Sequence, residues 1–386
     1  MKFFHTADWH LGKLVQGVHM TEDQAYVLDQ FVRAIEEEKP DAVIIAGDLY
    51  DRSVPPIEAV DLFNEVLGHI VQRLKTPVLA ITGNHDSSVR LSFASDIMKE
   101  KGLHIVGQYD PNREPVILDD EHGEVYVHLI PYTDPSIIRT VFNDESIQTH
   151  DDATKRIIEH ITETYDENAR HIYVGHAFVT PQGEERENTS DSERPLAIGG
   201  VEYVRASHFT PFHYVALGHL HAAHYVGEEH IRYSGSILKY SISEEHHNKG
   251  FYVVELDGKG TAAVEKREFT PRRDMYTVQA KIDDILQMDK RDDYVFVELE
   301  DEERVLFPME KIRTIFPNAM HVTNKQFVAR QMNDKRATNK QRANVSDQEL
   351  FTQFYEEVTG KPPNDTTEKA FMTMLEQLYR TEREER

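Results

Sequence analysis

Five short apolar runs along the chain each end in a glycine or a polar turn that presents Asp, Asn or His. The run at residues 77–81 leads to Gly83-Asn84-His85-Asp86. The other four runs and the polar residues that follow them are residues 3–4 before Asp8 and His10, residues 42–45 before Gly47-Asp48, residues 172–174 before Gly175-His176, and residues 214–217 before Gly218-His219-Leu220-His221. Short β-branched and aromatic runs of this kind predict strands. Because open α/β sheets place their sites at strand ends, the pattern predicts five strands that bring ligand chemistry to one edge of a sheet.

Two amphipathic helices alternate with the first three predicted strands. Residues 21–38 begin at Thr21, an N-cap candidate, and carry an apolar stripe that ends before Pro40: Leu28, Phe31, Val32 and Ile35. Residues 56–75 carry a second stripe on one side of the helix: Val60, Phe63, Leu67, Val71 and Leu74. Alternating strands and helices predict parallel strands joined by helical crossovers.

The later parts of the chain predict further elements in a different order. Residues 105–131 favour short strands, residues 153–169 a helix, and residues 251–256 an edge strand followed by the turn Asp257-Gly258. Near Pro271 the pattern changes to a small α+β unit, with strands at 276–281, 294–299 and 305–307. Two capping boxes, Ser346-x-x-Glu349 and Asp365-x-x-Glu368, predict a C-terminal helical hairpin that docks on its own domain or on another chain.

Composition limits the class of protein. The 386 residues suffice for two domains, and 43 Lys plus Arg against 68 Asp plus Glu give a net charge of -25. Contact with DNA would therefore need a local basic patch, metal ions or a partner that supplies positive charge. Residues 324–342 hold six basic residues against Asp334, which is consistent either with a solvated tether or with a nucleic-acid contact.

The absence of cysteine excludes disulfides and thiolate metal sites. Any metal must then be bound by nitrogen and oxygen ligands. The N-terminal segment turns polar too early for a signal peptide, and no apolar run approaches the length of a membrane span. From these features we expect a soluble, cytoplasmic protein without a membrane contact.

The polar residues at the strand ends are suited to binding two metal ions. Two ions about 3.5 to 4 Å apart can activate water and stabilise both oxygens of a phosphodiester displacement. Asp48, alone at its strand end, is the natural bridging ligand. Each residue by itself is more often a turn residue or a core histidine than a ligand, but their coincidence at five strand ends favours a site. The candidate metal ligands are Asp8, His10, Asp48, Asn84, His176, His219 and His221.

These motifs resemble the five signature motifs of calcineurin-like metallophosphoesterases. Longer strings, at residues 5–12, 47–51 and 192–196, resemble the SbcD-type nuclease subunits of bacterial SbcCD complexes. The resemblance implies an α/β fold with mixed β-sheets flanked by helices, a small α+β capping domain and a C-terminal helical hairpin. It implies four segments: a nuclease domain at 1–270, a DNA-capping domain at 271–330, a basic linker at 331–344 and partner-docking helices at 345–386.

The same resemblance assigns roles to the candidate residues. It implies one divalent ion held by Asp8, His10, Asp48 and His221, and a second held by Asp48, Asn84, His176 and His219, with Mn²⁺ as the expected ion. It implies that His85 contacts the scissile phosphate and assists the leaving oxygen, and that Asp86 orients His85. Eukaryotic and archaeal relatives often have a second functional histidine at the position of Asp51, so that role is not assigned here.

The function that the resemblance implies is hydrolysis of DNA phosphodiesters at double-stranded ends and hairpins, by exonuclease and endonuclease cuts, in DNA repair, recombination and replication. The implied assembly is a homodimer within a heterotetramer that contains an SMC-like ATPase of the SbcC type. Two other classes remain open: a small-molecule or phosphoprotein phosphoesterase on the same core, and a non-catalytic scaffold. The sequence assigns neither the cleavage polarity nor the ATP dependence of cutting.

Overall fold

The fold was obtained as a computed structural model. The structure describes residues 1–182, 190–193 and 202–324, and near the C-terminus residues 351–352, 355, 363–364, 367–371 and 374. The predicted linker at 331–344 lies outside the described residues, as do most of the predicted C-terminal helices at 345–386 and residues 194–196 of the string at 192–196.

The described strands are, in chain order, β1 Lys2–Thr6, β2 Leu14–Val15, β3 Val18–His19, β4 Ala42–Ala46, β5 Val78–Ile81, β6 Leu103–Val106, β7 Val116–Asp120, β8 Gly123–Leu129, β9 Arg170–His176, β10 Phe178–Thr180, β11 Tyr203–Arg205, β12 Tyr214–Gly218, β13 His224–Val226, β14 Glu228–Tyr233, β15 Gly250–Leu256, β16 Ala262–Glu268, β17 Met275–Ala280, β18 Tyr294–Leu299 and β19 Ala319–Asn324. The described α-helices are α1 Thr21–Glu38, α2 Ile57–Leu67, α3 Ser88–Leu91, α4 Ser95–Met98, α5 Pro135–Phe142, α6 His150–Glu163, α7 Ile282–Ile285 and α8 Pro308–Ile312.

Two six-stranded mixed sheets form the core of the fold. The first sheet has the order β16-β15-β1-β4-β5-β6, in which β1, β4, β5 and β6 are parallel. The second has the order β13-β14-β12-β9-β8-β7, in which β14, β12, β9 and β8 are parallel. Strand, helix and strand alternate from β1 to β5, so the predicted parallel crossovers are confirmed.

The two sheets pack face to face. Alternate residues of each strand point to opposite faces, so Phe3 belongs to the layer between the sheets and Phe4 to the outer layer. Between the sheets, Ile44 of the first meets the apolar layer of the second, which includes Ile172. On the outer face of the first sheet, Phe31 of α1 packs into the cluster that contains Phe4. Helices therefore flank a β-sandwich, as the predicted fold class requires.

The five site-bearing strands do not share one sheet. Strands β1, β4 and β5 lie in the first sheet, whereas β9 and β12 lie in the second. The prediction of a single sheet edge was therefore wrong. All five strands are buried on both faces, and buried apolar runs look alike in the sequence whichever sheet they join.

The helix predictions were correct in position but not in detail. Helix α1 has the predicted bounds, but its N-cap residue is Met20, and Thr21 is the first helical residue. The predicted helix at 56–75 ends as α2 at Leu67 and continues as a π-helix over Gly68–Arg73. Val60, which the predicted stripe included, is exposed. The helix predicted at 153–169 is α6, which begins three residues earlier and ends at Glu163.

Two strand predictions also need correction. Strand β15 covers the run at 251–256, but it is an interior strand, because β16 pairs with it along its whole length. The third strand of the small sheet is β19, and residues 305–307 form no strand. Strands β17, β18 and β19 form that sheet in this order. Four consecutive charged residues, at 265–268, end β16, and this half-exposed strand has no apolar run that would reveal the edge strand in the sequence.

The chain divides into two compact units. The first consists of Met1–Val278, Met288–Val297 and Met309–His321 and contains both six-stranded sheets; the second consists of Gln279–Gln287, Glu298–Pro308 and Val322–Arg386. The predicted four-segment division stays a prediction. Among the described residues, no helix is long and apolar enough to cross a membrane.

Candidate dimetal centre

The candidate ligands lie on loops that leave the carboxyl ends of strands in the two sheets. Asp8, His10 and Asp48 have positive φ angles of 52°, 45° and 49°, a conformation that non-glycine residues seldom adopt. Backbone hydrogen bonds hold these two loops together, since the N–H of Asp8 donates to Gly47 at 3.1 Å and that of His10 to Asp48 at 2.9 Å. Strained backbone that neighbours hold in place is characteristic of functional sites.

Glycine is required at two of the motif positions because other groups approach too closely. A Cβ at Gly83 would collide with the carboxylate of Asp48, and a Cβ at Gly47 would collide with the ring of His176. Gly47 also has a φ of 93°, which favours glycine. The Gly-Asp and Gly-Asn pairs of the sequence thus place ligands around a crowded centre.

Asp48 lies at the middle of the cluster. Its Oδ2 is 3.5 Å from Nε2 of His10 and 3.5 Å from Nε2 of His176. Its Oδ1 accepts a hydrogen bond of 2.9 Å from the backbone N–H of His85. A single carboxylate oxygen therefore faces histidines from both sheets, which is the arrangement expected of a bridging ligand.

One group of ligands surrounds His10 and His221. Ligand atoms of Asp8, His10 and His221 lie within 4.8 Å of one another, and the two Nε2 atoms are 3.0 Å apart. Two adjacent ligands of an octahedral ion, each about 2.1 Å from it, would be separated by about 3 Å. Nδ1 of His10 is buried and has no hydrogen-bond partner among the described residues.

A second group surrounds His176. Ligand atoms of Asp8, Asp48 and His176 also lie within 4.8 Å of one another. The Nδ1–H of His176 donates to the carbonyl of Ala46 at 2.9 Å, and Nε2 lies 3.0 Å from Oδ1 of Asn84. The ring of His219 lies beside that of His176, with centroids 5.5 Å apart.

The residues present fit two divalent cations. The donors are carboxylate oxygens, one amide oxygen and imidazole nitrogens, which are the ligands that divalent manganese, iron or zinc accept in the absence of cysteine. Six of the candidates are at most 4% exposed, so their charges and lone pairs are shielded from bulk water: Asp8, His10, Asp48, His176, His219 and His221.

Comparison with known proteins agrees with this chemistry. A family model described as calcineurin-like phosphoesterase matches residues 1–223. The chain belongs to the calcineurin-like phosphoesterase family. A second model, named SbcD_C and described as the type 5 capsule protein repressor C-terminal domain, matches residues 271–359. The family uses divalent metals, and the phosphoesterase fold predicted from the sequence is confirmed.

Solved structures resemble this phosphoesterase at low sequence identity. The protein TT1561 of Thermus thermophilus is 10% identical, with a TM-score of 0.38 over 69% of this chain and 98% of the other. A dimetal phosphatase from Danio rerio is 12% identical, with a TM-score of 0.38 over 69% of this chain and 96% of the other.

Burial and neighbouring charges pull the ligand pKa values in opposite directions. Burial raises the pKa of Asp8 to about 7, against the lowering effect of His176 and His221. Burial also opposes ionisation of Asp48, but His176 and His10 outweigh it and hold the pKa of Asp48 well below its usual range. For His176, burial favours the neutral ring, but Asp48 and Asp8 prevail and raise its pKa to about 9. The centre thus holds strongly coupled positive and negative groups.

His85 and Asp86 have different surroundings. The Nδ1–H of His85 donates to the carbonyl of Asp51 at 2.7 Å, and its Nε2 lies 4.0 Å from Oδ2 of Asp48. The carboxylate of Asp86 accepts hydrogen bonds of 2.9 to 3.0 Å from three backbone N–H groups, those of Leu49, Tyr50 and Gly83. Asp86 therefore orients the loops at 49–50 and 83, whereas the Asp51 carbonyl orients the His85 ring. The predicted role of Asp86 in orienting His85 stays a prediction.

The sequence pattern did not indicate several of the residues that contact the candidate ligands. The side-chain amide of Gln24 donates to the carbonyls of Trp9 and His10 at 3.1 and 2.8 Å, which fixes the first ligand loop. Glu244 and Lys249 are buried behind His221. Both lie in the segment 244–250, whose high charge is typical of an exposed turn. Only the tertiary structure shows that they are buried.

Proposed function

We propose that this chain is the metal-dependent nuclease subunit of an SbcCD-type complex, which hydrolyses phosphodiesters at double-stranded DNA ends and hairpins. The supporting observation is the combination of a dimetal-type cluster in a calcineurin-like phosphoesterase domain with an SbcD_C match at residues 271–359. A phosphoesterase of small molecules would not need that second segment. The absence of cysteine suits a cytoplasmic location for the complex.

The proposed ligand sets are those that surround Asp48. Asp8, His10, Asp48 and His221 would hold one divalent ion, and Asp48, Asn84, His176 and His219 the other, with Mn²⁺ as the proposed ion. Bound ions of this kind activate a water and stabilise the charge of attacking and leaving oxygens. Asp48 contributes by placing one carboxylate oxygen between the two histidine groups.

His85 is the proposed acid. Its Nδ1–H is engaged by the Asp51 carbonyl, so Nε2 is directed toward the cluster, where the scissile phosphate would lie. From that atom an imidazolium can deliver a proton to the leaving oxygen. Asp86 supports this step indirectly, because it ties the backbone of residues 49–50 to that of Gly83, next to Asn84 and His85.

We also propose that the chain forms a homodimer. Large apolar side chains are exposed on the segments 54–60 and 89–97, and they reach 80% exposure at Phe93, 76% at Ile57 and 74% at Ile97. Exposed apolar surface of this kind marks an interaction site. A second copy of the chain would cover these residues and give the nuclease half of a heterotetramer.

The SMC-like ATPase is the other proposed partner. Its proposed docking element is the helical hairpin at 345–386, whose first part falls within the SbcD_C match. Truncation after Arg342 should abolish copurification of the ATPase and leave phosphoesterase activity intact. Retention of the partner by the truncated chain would assign docking to another segment.

The deciding experiment compares substrates. The purified chain, with and without the ATPase, is incubated with Mn²⁺ and either end-labelled duplex DNA, hairpin DNA or p-nitrophenyl phosphate esters. Manganese-dependent cutting of duplex ends and hairpins supports the nuclease. If the chain hydrolyses the small esters but leaves the DNA uncut, it is a small-molecule phosphoesterase. If both activities of the wild-type chain are no higher than those of an Asp48→Asn control, it is a scaffold.

A further inference from the structure

A buried ion pair lies directly behind one of the candidate ligands. Glu244 is fully buried and Lys249 is 8% exposed, and Nζ of Lys249 lies 2.6 Å from Oε2 of Glu244. Burial of two charges carries a large desolvation cost before their attraction is counted. Stability alone is therefore a weak reason for such a pair, and its contacts suggest another role.

The pair holds His221 by its ring and by its main chain. Oε1 of Glu244 accepts a hydrogen bond of 3.0 Å from Nδ1 of His221, and Nζ of Lys249 donates to the His221 carbonyl at 2.9 Å. Ser192 joins the same cluster, with Oγ at 2.8 Å from Nδ1 of His221 and a hydrogen bond to Glu244. On the far side of the ring, Nε2 of His221 faces Nε2 of His10.

We propose that Glu244 is a positioning residue for His221, which it keeps in the tautomer with a proton on Nδ1 and a metal-binding lone pair on Nε2. Lys249 compensates the charge of Glu244 through its ion pair with Oε2. This inference rests on the proposed dimetal site. A carboxylate that accepts the free N–H of a ligating histidine orients the ring and raises its basicity, and its loss costs about 10 to 100-fold in metal affinity.

The other ligand histidines are supported differently. His176 donates its Nδ1–H to a neutral carbonyl, that of Ala46, and Nδ1 of His10 lies 3.8 Å from Oδ1 of Asp51, beyond hydrogen-bond distance. Of these three rings, His221 is the one with a carboxylate at 3.0 Å. A carboxylate therefore supports the histidine of one candidate ion site and not that of the other. Loss of Glu244 should weaken binding of the ion beside His221 and leave binding of the ion beside His176 unchanged.

The test uses Glu244→Gln, which keeps the shape of the side chain. An amide has one oxygen, so its NH₂ group must face either Nδ1 of His221 or the ammonium of Lys249, and one hydrogen bond is lost in each case. Glu245→Gln is the matched control, because the neighbouring carboxylate accepts from the backbone N–H of Thr277 at 2.8 Å and has no contact with His221 among the hydrogen bonds and ion pairs of the described residues.

The first measurement is Mn²⁺ binding to full-length chains by calorimetry and by metal analysis after dialysis. We expect two ions in the wild type and in Glu244→Gln, with one of the two about 10 to 100-fold weaker in Glu244→Gln. Glu245→Gln should match the wild type. Two ions of wild-type affinity in Glu244→Gln, or equal weakening of both ions, would overturn the positioning role. A wild-type chain that binds fewer than two ions would refute the proposed dimetal site itself.

A second measurement is made on the wild-type chain and does not depend on whether Glu244→Gln folds. In the wild-type chain loaded with zinc and labelled with ¹⁵N-histidine, His221 should show a proton on Nδ1 and coordination through Nε2. His221→Asn identifies the signal. Coordination through Nδ1, or a proton on Nε2, would overturn the proposal.

Discussion

The two sheets contribute chemically different halves of the candidate centre. The first sheet contributes both carboxylates, Asp8 and Asp48, together with His10 and Asn84. The second sheet contributes only histidines, His176 at the end of β9 and two more directly after β12. An acidic half and an imidazole half therefore meet where the sheets pack. Neither sheet alone has a complete set of ligands for two ions.

The ligands also connect the sheets to each other. The Nδ1–H of His176 in the second sheet donates to Ala46 in the first, and the backbone N–H of His219 donates to the carboxylate of Asp8. Substitutions at the centre can thus change both metal binding and sheet packing. Measurements of metal binding and of unfolding separate these two effects.

Asp48→Asn should abolish phosphodiester hydrolysis to below detection and weaken both ions. Asp48 is equidistant from His10 of the first sheet and His176 of the second, so removal of its charge affects both halves. Metal analysis with a nuclease assay on the same preparation checks this, with circular dichroism to verify folding. Two tightly bound ions in Asp48→Asn would show that Asp48 is not the bridge.

His85→Asn should slow cutting by about 10² to 10⁴-fold, the usual contribution of a general acid, while both ions remain bound. The ring contacts the Asp51 carbonyl and is not needed to complete either ligand group. Single-turnover cleavage of end-labelled DNA at saturating Mn²⁺ measures the effect, and metal analysis is the control. A wild-type rate would remove His85 from the chemical step.

Gly83→Ala should destabilise the fold by about 1 to 3 kcal/mol, as overpacking does. The added Cβ would meet the Asp48 carboxylate, which must then move within the first-sheet half of the centre. Gly68→Ala is the matched control, because open space surrounds that position in the π-helix. Urea unfolding of the metal-free chains compares them, and equal stabilities of the two variants would contradict the crowding at Gly83.

Mild acid should destabilise the second sheet through His128 of β8. Burial and, second, the charge of His171 lower the pKa of His128 from its usual value of 6.5 to about 3. As the pH falls below about 6.5, His128 becomes protonated in the unfolded chain but stays neutral in the folded chain. The free energy of unfolding therefore decreases until the pH reaches about 3. The expected loss from this residue between pH 8 and pH 5 is about 1 to 2 kcal/mol.

His128→Phe tests that pH dependence. The variant should lose less stability than the wild type between pH 8 and pH 5 in urea unfolding, because the titrating ring is gone. His19→Phe, at an exposed position of β3, is the control and should show the wild-type dependence. An unchanged pH dependence in His128→Phe would exclude His128 as its source.

Local patterns in the sequence determined much of this protein. The apolar stripe predicted α1 with its bounds, and the glycine and turn residues after each apolar run predicted the strand ends. Sequence patterns also placed Asp8, Asp48, His176 and His221 among the candidate ligands, and these residues do meet in the structure. Such features follow from residues that are close in the chain, so periodicity and turn chemistry suffice to predict them.

Tertiary packing decided the rest. Which sheet a strand joins, when both its faces are buried, depends on residues that are distant in the chain. The π-helix after α2 and the pairing of β16 with β15 follow from packing as well. The same holds for Glu244 and Lys249, whose charged segment is typical of an exposed loop. Only the contact with His221, more than 20 residues away in the chain, gives these two residues a place in the centre.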